Sequence, residues 1–305
     1  MKILITGATG FVGRVLLNQL LASESKARIE KLYLIENKNR ISTEVVDSLR
    51  NHFDVQSIRQ NLVEPWSFSA EVDFVVNLAA DGSQKPYSSR STRTYLQINK
   101  QFLKWSAHRE LAQIIHVSSG ICDYLDVNSN DEILHNSDKR DFAIGRKIVE
   151  EEVCSFFQER DVPSRVLRLY TFIGKELLSR PQYAVNDFMM MAARDGVIRV
   201  RGNSKSLRTY LSEGDLGRVL DETIFSSAFP NQVSVASTTS VSMEELAKRV
   251  AIEFQADIEF LGEQNKAESY IPEHASKVLP DKSNILEPWN DTLHNLAKAF
   301  TRGQE

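Results

Sequence analysis

Cysteine is scarce in this chain: Cys122 and Cys154 are the two in 305 residues. They have no metal-ligand spacing and offer no disulfide framework, which points to a reducing compartment. Long apolar runs are missing as well, and no stretch reaches the roughly 18 apolar residues of a membrane-crossing helix. Positive charge is not in excess. With 37 Lys and Arg against 41 Asp and Glu the net charge is −4, so neither a nucleic-acid nor a membrane partner is expected. Repeats, low-complexity tracts and disordered linkers are also absent. The first apolar run begins at Ile3, which leaves no room for a leader peptide. The composition, 42% hydrophobic and 26% charged, is that of an ordinary globular chain. The expectation is a soluble cytoplasmic protein of one large domain or two unequal ones.

Glycine, although infrequent, is concentrated where it matters. Gly7, Gly10 and Gly13 stand at a spacing of three, between the apolar run Ile3-Leu4-Ile5 and the helical pattern Val12, Val15, Leu16, Leu20. Strand, glycine turn and helix form the context of a dinucleotide-binding turn. The glycines permit a tight bend, a close approach to a pyrophosphate, and a helix packed against the strand. The helix start then offers free N–H groups to the phosphates.

Lys31 to Glu36 reads as a second buried strand that ends in an acid. A carboxylate about 20 residues beyond the glycines accepts both hydroxyls of an adenosine ribose and favours NAD over NADP. Lys38 and Arg40 keep NADP open. Val55 to Leu62 reads as a third strand, and Val72 to Ala80 as a strand entering a small-residue turn. Tyr95 to His108 is helical, Ile114 to Val117 is a strand ending in Ser118-Ser119-Gly120, and residues 121–141 read as a polar surface loop over the site. Phe142 to Arg160 is a helix with a wide apolar face, and Ser164 to Tyr170 is another strand. The rhythm breaks from Gly174 through Arg180-Pro181 to a Met-rich helix around Met189 to Met191. The strand Val197 to Val200 follows. Leu211 to Phe225 and Val233 to Ala236 read as a return to the sheet, and Met243 to Phe254 and Trp289 to Phe300 as terminal helices. Alternating strands and helices predict an α/β fold of the Rossmann type, a doubly wound parallel sheet with ligands at the strands' carboxyl ends. The dinucleotide-binding domain is placed at 1–172, with 211–236 returning to its sheet. A smaller C-terminal α/β substrate region takes 173–210 and 237–305.

The ordered series of motifs resembles the extended short-chain dehydrogenase/reductase family, in particular its NAD-dependent epimerase/dehydratases of nucleotide sugars. Gly7-Ala8-Thr9-Gly10-Phe11-Val12-Gly13 matches that family's glycine motif, and the resemblance implies that Gly7, Thr9, Gly10, Phe11, Val12 and Gly13 touch the cofactor. Glu36 falls at its ribose acid, and Asn61-Leu62 at its adenine contact. Asn77-Leu78-Ala79-Ala80 falls at its cofactor-lining turn, Asn99 at its helix asparagine, which the resemblance implies also binds the cofactor, and Ser118-Ser119 at its serine pair. Gly202-Asn203, Arg208-Thr209-Tyr210-Leu211 and Asp215-Leu216 resemble its substrate segment, where Arg208 would contact a diphosphate.

The departures are chemical. The family's Tyr-x-x-x-Lys pair falls on Phe142 and Arg146, and sliding the register by one puts Ala143 and Lys147 there instead. Neither register has a phenol, so the acid/base step implied by the resemblance has no carrier at that position. Arg146 keeps its charge and can hold ribose hydroxyls. Asp81, His116, Asp123 and Tyr124 are the substitutes within sequence reach, although caps and a strand-face histidine account for them more simply. Asn61 stands where the family usually has Asp. Arg199, Arg201, Lys205 and Arg208 gather beside Gly202 and suit a diphosphate. The family's second arginine has no counterpart in Glu268-Ser269-Tyr270-Ile271-Pro272.

Two functions follow. One is an atypical nucleotide-sugar epimerase, dehydratase or reductase in which Ser119 polarises a sugar oxygen. The other is a catalytically inactive dinucleotide-binding sensor or partner subunit. The apolar faces of helices 95–108 and 142–160 exceed what one sheet face covers, so a homodimer through them is expected with either.

Overall fold

A computed structural model describes residues 1–80, 87–127, 132–177, 183–262, 267–279 and 289–302. Asp81 and Arg180-Pro181 lie outside these residues. The chain opens with β1 (Lys2–Thr6), α1 (Phe11–Ala22), β2 (Lys31–Glu36), α2 (Thr43–Arg50), β3 (Asp54–Arg59) and β4 (Phe74–Asn77). It continues through α3 (Ser89–Ser106), β5 (Gln113–Ser119), α4 (Cys122–Asp126), α5 (Ser137–Gln158), β6 (Ser164–Leu169) and β7 (Phe172–Ile173). Next come α6 (Ala184–Asp195), β8 (Val197–Val200), β9 (Leu207–Thr209), β10 (Leu211–Ser212), α7 (Glu213–Phe225) and β11 (Gln232–Val235). The last elements are β12 (Ser240–Ser242), α8 (Met243–Phe254), β13 (Asp257–Phe260), β14 (Val278–Leu279) and α9 (Trp289–Arg302).

Eight strands form one parallel sheet in the order β14-β11-β6-β5-β4-β1-β2-β3. Both faces of the central strands β1, β2 and β4 are covered and apolar, whereas β3 at the edge buries only Val55 and Ile58. In β1, Ile3 and Ile5 pack toward α1 and α7, whereas Leu4 packs toward α3 and α5. In β2, Leu32 and Leu34 take the first face and Tyr33 and Ile35 the second. The chain runs outward through β2 and β3 and returns to the other side of β1 as β4. That reversal is the topological switch point, the place where such sheets bind ligands. A separate core joins α6, β8, α8 and α9 around Met189, Met191, Leu246 and Phe300. Among the described residues no helix is long and apolar enough to cross a membrane.

Three expectations need correction. β3 stops at Arg59, because Asn61 folds the chain back: its side chain accepts from Val63 N–H (3.5 Å) and donates to Glu64 Oε1 (2.8 Å). Within 121–141, residues 121–127 and 132–141 are not a polar surface loop: α4 buries Cys122, Asp123 and Tyr124, and α5 begins at Ser137, capped by Asn136. Residues 213–225 form no strand. Ser212 caps α7, which packs on α1 over the sheet, and the return to the sheet is made by β11.

Candidate functional site

At the end of β1 the chain turns with Gly7 at φ +67°, a left-handed conformation that only glycine adopts freely. A Cβ on Gly7 would sit 2.8 Å from the carbonyl of Leu78, and one on Gly13 would collide with the Gly7 carbonyl and Ala8. Backbone therefore packs on backbone at the switch point, and the start of α1 faces the cleft beside Leu78-Ala79-Ala80. Phe11 opens α1 with its ring stacked on Phe172 at 4.7 Å. Thr9 accepts from the Arg14 guanidinium (3.1 Å), and Val12 is half-buried behind it. Glu36 ends β2 at the same edge, with Oε1 accepting from Ile41 N–H (2.9 Å). Lys38 and Arg40 beyond it are exposed.

A buried polar network underlies the cleft. Thr6 Oγ1 accepts from Ala79 N–H (3.2 Å) and donates to Asn77 Oδ1 (2.7 Å). Asn77 Nδ2 then reaches Asn99 Oδ1 at 2.8 Å and His116 Nδ1 at 3.2 Å. An amide nitrogen only donates, so His116 Nδ1 accepts and its proton sits on Nε2, 2.9 Å from the Tyr95 hydroxyl. Burial and the charge of Arg146 push the His116 pKa down to about 3, and the ring is neutral. Burial raises that of Tyr95 to about 12. The Arg146 guanidinium lies on the Tyr95 ring, 3.6 Å from its centre. Arg146 Nε is buried and has no hydrogen-bond partner among the described residues.

Ser119 ends β5, and Phe142 and Arg146 lie on one face of α5 beside it. Arg146 is 4.9 Å from the Phe142 ring, and Tyr87 meets that ring edge-on at 5.2 Å. Phe142 is 9% exposed, among Ile121, Tyr124, Ile133, Leu134 and Tyr170. Lys147 points elsewhere, to Asp126 at 2.7 Å. Of the substitutes suggested by sequence, the three among the described residues, His116, Asp123 and Tyr124, are engaged. His116 belongs to the network above, and Tyr124 holds Ile271 N–H and C=O. Asp123 receives Arg168 Nη1 (2.7 Å), Tyr170 (2.7 Å) and Ser234 (2.6 Å). Arg168, 1% exposed, also binds Glu150 and Asp126.

Across the cleft, a cavity of about 590 Å³ lies between α6, β8 and β9, with Arg201, Ser206, Arg208 and Glu268 in its wall. Arg199 also lines it, paired with Asp195 and Glu259, and Lys205 is exposed. Arg208 donates to the carbonyls of Leu207 (2.9 Å) and Glu268, and its Nη2 lies 3.8 Å from the Glu268 carboxylate. From Glu268 the chain leads to Tyr270, whose hydroxyl is 3.1 Å from Ser119 Oγ. Sequence reasoning missed Tyr95, Glu268 and Tyr270 as site residues. Tyr95 had a signal, since it stands four residues before Asn99 on the same helix face. Tyr270 had none, being 151 residues from Ser119.

The NAD dependent epimerase/dehydratase family matches residues 3–226. Among curated relatives, Protein CapI of Staphylococcus aureus is 24% identical over 254 residues, covering 76% of this chain and 72% of that protein. UDP-glucuronic acid decarboxylase 1 of Danio rerio is 22% identical over 275 residues, or 86% of this chain and 63% of that protein. Among solved structures, UDP-glucuronic acid 4-epimerase from Bacillus cereus, with UDP-glucuronic acid and NAD, superposes with a TM-score of 0.73 at 17% identity over 99% of both chains. dTDP-glucose 4,6-dehydratase from Streptomyces venezuelae, with NAD bound, gives 0.74 at 13% identity over 100% of this chain and 98% of that one. The glycine turn at the switch point and the doubly wound sheet are thus features that this chain shares with a known group. It belongs to the NAD dependent epimerase/dehydratase family.

Proposed function

We propose that this chain binds NAD along the carboxyl edge of its sheet and takes a nucleotide sugar in the adjoining cavity, with an atypical catalytic pair. The observation that carries the cofactor assignment is a cradle in which Gly7 and Gly13 leave no room for a Cβ, and Arg146 Nε, buried without a partner among the described residues, supports it. Gly7, Thr9, Gly10, Phe11, Val12 and Gly13 would cradle the pyrophosphate, and Glu36 Oε2 would receive the adenosine ribose. Asn61, Leu62, Leu78, Ala79 and Ala80 would line the adenine and the dinucleotide, while Asn99 would brace the turn from below. Arg146 would hold the nicotinamide ribose. Lys38 and Arg40 leave NADP as a second ligand. Bound NAD supplies a hydride acceptor beside the sugar.

On the substrate side, Arg208 would hold a diphosphate and Ser119 a sugar hydroxyl. Phe142 moves no proton, so an active enzyme of this design takes its acid/base group from elsewhere. The packing of Phe142 among apolar side chains favours the second reading, an inactive dinucleotide-binding sensor or partner subunit. In either role the protein is assigned to the cytoplasm and to a homodimer through α3 and α5. Ile144 and Ile148, exposed on α5 at 39% and 41%, support the dimer. Light scattering that finds only a 34.6 kDa species would remove it.

The test is purification followed by identification of the nicotinamide that co-purifies, then nicotinamide absorbance with a panel of UDP- and dTDP-sugars. Turnover that survives Phe142→Tyr unchanged places the proton donor elsewhere. Activity gained only in the Phe142→Tyr, Arg146→Lys double variant identifies a decayed enzyme. Absence of NAD and NADP binding defeats the reading.

A further inference from the structure

The segment Glu268-Ser269-Tyr270-Ile271 runs across the cleft and is fastened along its length. Glu268 N–H donates to Ser206 Oγ (3.1 Å), Leu207 N–H to Ser269 Oγ (3.1 Å), and Tyr270 N–H to the Leu207 carbonyl (2.9 Å). At its far end Tyr124 receives Ile271 N–H at 3.0 Å and donates to the Ile271 carbonyl at 2.9 Å. Two side chains of this segment take up cleft groups. The Glu268 carboxylate pairs with Lys139 of α5 and faces Arg208. The Tyr270 ring packs on Tyr170 (4.7 Å) and sets its hydroxyl against Ser119.

We propose that Glu268 and Tyr270 form a built-in occupant of the nucleotide-sugar site, with a carboxylate where the diphosphate binds and a phenol where the sugar hydroxyl binds, displaced when a nucleotide sugar enters. The proposal rests on the nucleotide-sugar reading above. The chemistry matches group for group. A guanidinium that would grip phosphate oxygens is held by an anion and a carbonyl of the same chain. A serine that would polarise a sugar oxygen is already hydrogen-bonded. Tyr270 is suited to occupancy rather than to proton transfer. Burial pushes its phenol well above the ordinary range, and the groups around it, Ser119, Tyr87, Tyr124 and Cys122, are neutral. No cation stands among those groups to draw the proton off, as a lysine does for a catalytic tyrosine.

The experiment titrates the full-length chain, saturated with NAD, with UDP, dTDP, UDP-glucose and dTDP-glucose by calorimetry. Glu268→Gln and Tyr270→Ala are compared with wild type. Release of one charge-assisted contact predicts about tenfold tighter nucleoside diphosphate binding for Glu268→Gln. Tyr270→Ala is expected to tighten the glucose conjugates by a similar factor, and by more than it tightens the free diphosphates. Unchanged NAD affinity and circular dichroism establish that the variants are folded. Wild-type binding that no variant improves, or that the variants weaken, overturns the proposal while the nucleotide-sugar reading stands. If no protein binds any of the four probes while NAD titrates normally, that reading fails and the proposal falls with it.

Discussion

The guanidinium of Arg146 rests 3.6 Å from the centre of the Tyr95 ring, and the Tyr95 hydroxyl meets His116 at 2.9 Å. A cation stacked on a ring in a dry site is worth about 2 kcal/mol, enough to fix where the charge points. Arginine suits this stack because its flat guanidinium covers a ring face, which an ammonium does not. Arg146→Met is expected to weaken NAD binding at least about tenfold by removing one charged contact. Arg146→Lys should retain part of the affinity. Quenching of protein fluorescence by NADH measures both.

Gly7→Ala tests the cradle. The left-handed backbone at Gly7 costs any other residue about 1–2 kcal/mol, and the added methyl meets the Leu78 carbonyl carbon at 2.8 Å. The expected result is a lower melting temperature and loss of most NAD affinity, with the circular dichroism spectrum preserved. Ile252→Ala, at a side chain 76% exposed, serves as the control and should change neither.

His116 makes stability depend on pH. Its pKa is about 3 in the folded protein against an ordinary value of 6.5, so the unfolded chain binds the extra proton. Its contribution is complete above pH 6.5 and shrinks as pH falls toward 3, at up to about 1.4 kcal/mol per pH unit. Urea unfolding at pH 7, 6, 5 and 4 should show a steeper decline for wild type than for His116→Gln. Because the charge of Arg146 also lowers this pKa, Arg146→Met should flatten the profile in part.

Arg168→Met should destabilise the fold by about 3–5 kcal/mol, because Glu150 and Asp123 are left as buried charges without their cation. Lys147→Met breaks a half-exposed pair with Asp126 and should cost less than about 1 kcal/mol. Denaturant midpoints at neutral pH separate the two. Equal losses would mean that the Arg168 cluster is not a buried ion pair in solution.

Much of this architecture could be read from the chain, and the parts that could not share a cause. β2 spans Lys31–Glu36 and α8 spans Met243–Phe254, as their apolar patterns predict. The glycine turn was legible because spacing, strand and helix lie within a dozen residues. Residues 121–141 misled because the buried face of α4 carries Asp123, whose charge is compensated by an arginine 45 residues later. Glu268 and Tyr270 were noted only for the arginine they lack, and their place in the site was missed for the same reason. Their partners come from distant segments, and a local pattern cannot show that a polar residue is already matched.

The Arg168 cluster also bears on how the molecule opens. Arg168 joins β6 to α4 through Asp123 and Asp126, and to α5 through Glu150, in a place where water does not reach the guanidinium. None of the three elements can detach singly without stranding a charge, so they form one cooperative unit. The end of β5 that carries Ser119 is paired with β6, and Arg146 rides on α5. Amide hydrogens at Ser119, Arg146 and Arg168 are therefore expected to exchange together, in the slowest class, while those of Tyr270 and Ile271 exchange on a separate and faster clock.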